Sequence, residues 1–486
     1  MPPTIRIEDL LAVTNGRLVA PTAVPGFAGA SVDSRRIVPG SLFVALRGER
    51  QDGHTFVASA LRAGAVGALV ARPVELSPDT TGFQVQVADP LLALQDMAAW
   101  WRSRLPARVV GITGSTGKTL AKETVADVLS RGFRVLRNEG NLNSESGLPM
   151  TLLNLDAGHE VAVLEMSMYT VGEIARLAEI ARPEVGVVLA VHPTHLERAG
   201  SIERIAQAKS ELPAALPDGG LAVLNADDPR VAAMRSVTSA EVCTFGLGPD
   251  ADVRATDVTS LGVDGTEFTL TAPWGQRRLR SGMPGRHLVP HALAAAAVAQ
   301  RFGLPLDEVA VALAAGSRAS HRMAILEAAS GATVVDDTYN ASPVSVRGAL
   351  DFLAETPVAA GRRRLAVLGD MLELGPDEER LHREVGADAA AHLDGLLAVG
   401  PRGRWIAAGA KASGLERVAT ADDADQAALI LERELAPGVG DLLLIKGSRG
   451  IELDRLVDAI AVAPEAAPST PPAPSAPSVS GGGGGC

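Results

Sequence analysis

A nine-residue stretch, Gly111-Ile-Thr-Gly114-Ser115-Thr116-Gly117-Lys118-Thr119, constrains this chain more than any other. It follows the apolar pair Val109-Val110 and opens an Ala- and Leu-containing segment with helical spacing. Strand, glycine-rich turn and helix in that order form an anion cradle. Backbone N–H groups wrap phosphate oxygens, the helix N-terminus adds partial positive charge, and a lysine reaches the outer phosphates. Gly114, Ser115, Thr116 and Gly117 supply the wrap, Lys118 the cation and Thr119 a hydroxyl for Mg2+. The strict spacing G-x-x-x-x-G-K-[ST] fails at one position, where Ile112 stands in place of the first glycine. The pattern predicts a strand–loop–helix unit that binds a nucleoside triphosphate.

A chain of 486 residues has room for about three domains at the usual ~100–200 residues each. Its net charge of −12 argues against a general affinity for nucleic acid or anionic membranes. An anionic substrate must therefore be held by a local cluster of positive groups. The two cysteines, Cys243 and Cys486, provide no disulfide framework and suit a reducing compartment. The N-terminus lacks the apolar core of a signal peptide, and no uncharged apolar run approaches the ~20 residues that span a bilayer. A cytoplasmic enzyme with no membrane insertion is expected.

The expected fold class is α/β in three parts. Residues 1–86 mix short apolar runs such as Ser41–Leu46 and Val66–Ala71 with turn signals, as a small α/β domain does. Residues 87–316 begin with an amphipathic segment at about 90–104. They continue through Val161–Leu164, Val185–Leu189 and Leu221–Leu224, short apolar runs flanked by helical stretches. That rhythm predicts a mainly parallel sheet covered by helices. Residues 250–282, including Thr266–Leu270, read as a β-rich excursion, followed by an Ala-rich helix at about 291–302. Residues 317–462 place strand candidates at Ala332–Val335, Leu365–Leu368, Leu396–Val399 and Leu442–Ile445, predicting a doubly wound, Rossmann-like domain. It lacks a Gly-x-Gly-x-x-Gly turn, so no dinucleotide is expected there. The tail 463–486, rich in Pro, Ala, Ser and Gly, has too little apolar surface to order itself.

Several polar groups fall at the carboxyl ends of these strands, where open α/β sheets collect ligands. Glu165 closes the Val161–Leu164 run and suits Mg2+, which takes oxygen donors from one or two carboxylates plus phosphates. His195, just past the Val185–Val191 run, is open to metal ligation or phosphate contact, and His192 competes for the role. Lys209 lies on a probable Ala-rich helix and by pattern alone is a surface lysine. Burial would depress its pKa and let the neutral amine capture CO2 as a carbamate, an oxygen ligand. Asp336-Asp337-Thr-Tyr339-Asn340 suits a site wall or, with the following Ser-Pro, a helix cap. Arg322 reaches a phosphate from the domain junction or lies on the surface. Lys446, Ser448 and Arg449 suit a carboxylate or phosphate, or form a plain basic turn.

Taken together, these motifs resemble the Mur ligases of bacterial cell-wall synthesis, over residues 1–462. The N-terminal part of the resemblance rests on Asp33-Ser34-Arg35-Arg-Ile-Val-Pro39-Gly40-Ser-Leu-Phe43 and Asp52-Gly53-His54. The shifted loop Gly-x-Thr-Gly-x-Thr-Gly-Lys-Thr is that family's own version. Gly140-Asn141-Leu-Asn143, Gly147-Leu-Pro149 and Asn225-Ala-Asp227-Asp228 also match. Asp337-Thr-Tyr339-Asn340-Ala-Ser-Pro343 and Val367-Leu-Gly-Asp370-Met371-Leu-Glu-Leu-Gly375 point to the branch that adds D-alanyl-D-alanine.

The resemblance implies an ATP-dependent ligase that joins D-alanyl-D-alanine to UDP-N-acetylmuramoyl tripeptide through an acyl phosphate. A sister ligase adding another amino acid, or a catalytically silent UDP-peptide-binding relative, stays open at this point. Also implied are ATP, two Mg2+ ions, a carbamylated Lys209 and a monomer. Lys118, Lys209, His195, Arg322 and Asp337 are the implied catalytic set, and Thr119, Glu165, His195 and Lys209 the metal set. Ser34 and Arg35 match the UDP-sugar segment. Asn141, Asn143, Tyr339, Asn340, Lys446, Ser448 and Arg449 are the remaining substrate residues. The family's usual His-Asn-x-x-Asn after Gly-Arg reads His287-Leu288-Val-Pro-His291 here, so His291 stands where the second amide would meet adenine. The usual Gly-Arg-Met reads His321-Arg322-Met323. These departures imply an altered nucleotide preference.

Overall fold

The computed structural model describes residues 4–19, 22–48, 51–193, 200–316 and 319–462. The alternation of short apolar runs with helical segments gives three larger sheets. The first orders its strands Arg17–Leu18, Phe83–Gln86, Gly67–Val70, Leu42–Val44 and Ala30–Ser31, parallel except for the first pair. Phe83–Gln86 is hard to read from sequence because two glutamines interrupt it. Gln84 is nevertheless buried, with its amide bonded to both backbone groups of Val74 at 2.8 and 2.9 Å.

The second sheet carries the glycine-rich stretch. Its spatial order is Gly275–Ser281, Thr266–Ala272, Val253–Ser260, Glu241–Gly246, Leu221–Asn225, Val185–Val188, Arg108–Thr113, Val161–Glu165 and Val135–Arg137. The strands from Val135–Arg137 to Val253–Ser260 run parallel, and the last two turn back as an antiparallel meander over the expected β-rich excursion. Parallel strands are buried on both faces, and the runs Val161–Glu165 and Val185–Val188 are buried throughout. The chain leaves Arg108–Thr113 with its next two strands on one side and its later strands on the other. The loop after Thr113 therefore sits at the topological switch point, where a crevice opens.

The third sheet orders Ala324–Glu327, Thr333–Asp337, Leu442–Lys446, Arg364–Gly369, Gly395–Val399 and Val418–Ala421, parallel apart from its first pair. The four central strands match the apolar runs. The two edge strands, only partly buried, lack such runs and are not apparent in the sequence.

Helices from both faces of the second sheet join the parts. Lys118–Leu129 and Val289–Arg301 share a core with Phe352, Leu353 and Leu444 of the third part. On the opposite face, Glu173–Ala181 and Ile202–Ala214 share a core with Pro90–Arg102 and the first part. Asp89 starts Pro90–Arg102 by accepting from the N–H groups of Leu91 and Leu92, with proline at the first turn. His195 and the tail with Cys486 lie outside the described residues. No helix among the described residues is long and apolar enough to cross a membrane.

Candidate active site

The glycine-rich loop leaves strand Arg108–Thr113 and ends in helix Lys118–Leu129. Gly117, at φ +77°, occupies the N-cap of that helix, a left-handed conformation that favours glycine. The loop is braced by Ser115, whose hydroxyl donates to the His192 carbonyl at 3.0 Å and accepts from the His192 N–H at 2.9 Å. His192 thus comes to the cleft from the neighbouring strand end, and burial lowers its pKa. Lys118 Nζ donates to the Gly114 carbonyl at 2.9 Å, across the mouth of the loop. Burial drives this ammonium below the usual lysine range, while Glu165 opposes the shift and Arg322 adds to it.

Glu165 is the hub. Strand register sets it beside Ile112, one residue before the loop begins its turn, and it is 2% exposed. One carboxylate oxygen accepts from the Thr119 hydroxyl at 2.7 Å and the other from Asn143 Nδ2 at 2.6 Å. The backbone of Glu165 is fixed as well. Buried Asn138 accepts from its N–H at 2.9 Å and donates to its carbonyl at 3.2 Å. Lys122, wholly buried one helical turn after Lys118, donates to the Asn138 carbonyl and pairs with Glu123 at 2.6 Å. A lysine at that spacing reads as an exposed helix residue, and nothing local marks Asn138, so sequence alone passes over both.

The opposite wall comes from the third part. Arg322 donates to the Thr119 hydroxyl at 2.8 Å, bridging 203 positions of sequence, and its guanidinium lies 4.0 Å from the centre of the Tyr339 ring. Asp337 and Lys446 close adjacent strand ends in register and form an ion pair at 2.5 Å, with Lys446 also donating to the Asn340 carbonyl. The acidic pair therefore divides its tasks. Asp337 lines the cleft, whereas Asp336 is buried against Thr338 and His321. Ser342 and Ser345, not an aspartate, cap the following helix Pro343–Glu355. Ser448 is buried and accepts from the Leu372 N–H at 2.9 Å, and Arg449, on the cleft rim, pairs with Asp454 at 2.6 Å.

These walls enclose a cleft of about 620 Å³. Ser115, Thr116, Gly117, Lys118, Thr119, Asn141, Asn143, Glu165, His291, Arg322, Asp337, Tyr339, Asn340, Lys446, Ser448 and Arg449 all line it. Leu288 and Asn225 line it too, as does Tyr169, which no pattern in the sequence marks. Buried His291 packs against Gly117, and burial lowers its pKa to about 4. Lys209 is 3% exposed behind this wall, with no hydrogen-bonding or carboxylate partner among the described residues. Burial and, after it, the Lys118 charge push its pKa well below the lysine range. Ser34 and Arg35 lie apart from the cleft, and Arg35 is exposed and paired with Asp33 at 2.8 Å.

A phosphate-type loop facing a second α/β unit, with cations converging from both, defines a nucleotide-dependent enzyme cleft. Three family models match in succession. They are the Mur ligase family catalytic domain over residues 27–102, the Mur ligase middle domain over 112–299, and the Mur ligase glutamate ligase domain over 321–449. The chain belongs to the Mur ligase family. It is 37% identical over 464 residues to the UDP-N-acetylmuramoyl-tripeptide–D-alanyl-D-alanine ligase of Escherichia coli (strain K12), covering 94% of this chain and 98% of that one. The crystal structure of MurF from Acinetobacter baumannii superposes with a TM-score of 0.82 at 31% identity, covering 94% and 99% of the two chains. MurF ligase from Thermotoga maritima in complex with ADP gives a TM-score of 0.75 at 30% identity, covering 89% and 96%.

Proposed function

We propose that this chain joins D-alanyl-D-alanine to UDP-N-acetylmuramoyl tripeptide with consumption of ATP, in the cytoplasm and as a monomer. One observation carries the mechanism: the glycine-rich loop, Glu165 and the third-part cations Arg322 and Lys446 wall a single cleft. The working division is 1–86 for the UDP-substrate, 87–316 for ATP and 317–462 as the ligase domain that closes over it.

The tripeptide carboxylate and ATP are both anionic and repel each other. Lys118 and Arg322, held in a partly desolvated cleft, offset that repulsion and stabilise charge as it moves between them. A carboxylate oxygen attacks the γ-phosphorus, the bond to the bridging oxygen breaks, and ADP leaves an acyl phosphate. The dipeptide amine then attacks the acyl carbon and loses its proton. The tetrahedral adduct expels phosphate, leaving an amide. Closure of the two walls keeps water from the acyl phosphate.

The oxygen donors Thr119 and Glu165 fit Mg2+, which favours a carboxylate plus phosphate oxygens. Among the described residues no three His, Cys, Asp or Glu side chains cluster tightly enough to hold a metal alone. Mg2+ bound there would neutralise phosphate charge and polarise the reacting phosphoryl group. His195 and a carbamate on Lys209 are the further ligands of this reading. The depressed pKa of Lys209 supports a neutral amine able to capture CO2.

Phosphate release with ATP, UDP-N-acetylmuramoyl tripeptide and D-alanyl-D-alanine tests the reading directly. Release must need all three, and Lys118→Ala must abolish it. Near-normal release by Lys118→Ala, or release indifferent to the dipeptide, would overturn it. Replacing the dipeptide by single amino acids separates the sister ligases.

A further inference from the structure

His321 holds a backbone conformation that most residues with a β-carbon resist. Its φ is +59°, and Met323 two residues on stands at +54°. Such conformations persist where surrounding contacts over-determine them, and they concentrate at functional sites. Here the contacts form a closed clasp. His321 Nδ1 donates to Asp336 Oδ2 at 2.8 Å, the carboxylate being able only to accept. The Tyr339 N–H donates to the His321 carbonyl at 3.1 Å. The Tyr339 ring then supports the Arg322 guanidinium at 4.0 Å. Asp336 is itself fixed, since its other oxygen accepts from the Thr338 N–H at 3.1 Å and hydroxyl at 2.7 Å, and its side chain is 3% exposed.

The clasp delivers Arg322. Its terminal nitrogen reaches the Thr119 hydroxyl at 2.8 Å, while its buried Nε has no acceptor. Glycine would adopt +59° without penalty. What the imidazole adds is therefore the bond to Asp336. We infer that His321 is a positioning residue, which through Asp336 and Tyr339 aims Arg322 across the cleft at the phosphate loop. The inference rests on the reading of Arg322 as a group that meets the nucleotide.

Four full-length variants test it: His321→Gly, His321→Asn, Arg322→Gln and the double variant His321→Gly/Arg322→Gln. Asparagine tolerates the left-handed region and keeps a donor one bond from Cγ, where Nδ1 stands. The readouts are kcat and KM for ATP by phosphate release, and the rise in Tm on adding ATP. His321→Gly should lower kcat/KM for ATP by about 10- to 100-fold, the size of one lost hydrogen bond to a charged group. It should keep the Tm of the free protein and lose most of the ATP-induced rise. His321→Asn should recover most of both. In the Arg322→Gln background His321→Gly should change little, because residues acting as one unit do not add. Wild-type kinetics for His321→Gly, with Arg322→Gln impaired, would overturn this inference alone. So would equal fractional losses in both backgrounds, or failure of asparagine to rescue. Wild-type kinetics for Arg322→Gln would overturn the reading beneath it as well.

Discussion

Gly117→Ala probes the phosphate loop at its tightest point. With φ at +77°, a β-carbon there costs about 1–2 kcal/mol from backbone sterics alone. The added atom would also run into Nε2 of His291, with Cε1 3.1 Å away. The ring has little freedom to retreat, being buried, with Nδ1 3.2 Å from the Leu288 carbonyl. Overpacking of that kind costs about 1–3 kcal/mol. The combined penalty of about 2–5 kcal/mol drives the free loop out of the phosphate-holding conformation, and ATP must restore it, a loss of up to roughly 30- to several-thousand-fold in affinity. Calorimetric titration with a non-hydrolysable ATP analogue reads it. The two causes separate in a His291→Ala background, where Gly117→Ala should retain only the backbone cost of about 1–2 kcal/mol. Analogue binding within about threefold of wild type for Gly117→Ala would refute the reasoning, since one RT ln 3 is far below the backbone cost alone. An unchanged penalty in the His291→Ala background would refute the steric part.

His291, with its folded pKa lowered to about 4 from 6.5, binds no proton in the folded state over a window where the unfolded chain binds one. Its stabilisation is thus full above pH 6.5 and falls as pH drops toward 4, by up to about 3 kcal/mol. Melts of wild type and His291→Gln at pH 7, 5.5 and 4.5 should converge, and parallel curves would contradict this. Lys209→Ala should lose turnover, with added short carboxylates restoring part of it; absence of rescue would leave the carbamate unsupported. Burial pushes the Cys243 thiol up to about 12, so in a Cys486→Ser variant native protein should label slowly with iodoacetamide and rapidly once unfolded. Because Leu288 and His291 line the cleft in place of two amides, ATP, GTP and CTP should support comparable turnover, and strong ATP preference would refute that.

The phosphate loop was legible in the chain because it is contiguous. Strand, glycines, lysine and helix follow one another within residues 108–129, and local sterics and hydrogen bonding suffice to shape them. Glu165, Asp337 and Lys446 were legible for a related reason: each ends an apolar run, and a strand's carboxyl end in an open sheet has a known place. Other features were decided only by packing. Lys122 and Lys209 carry patterns of surface lysines, yet both are buried, because the helices bearing them are covered by neighbours distant in sequence. The contact of Arg322 with Thr119 depends on how the third sheet sits against the second, and the His321 clasp behind it on strand pairing within the third part. Periodicity along a chain encodes which face of an element is apolar. It does not encode which distant element will cover that face, so residues of both walls stood out in the sequence while only tertiary packing set the two walls against each other.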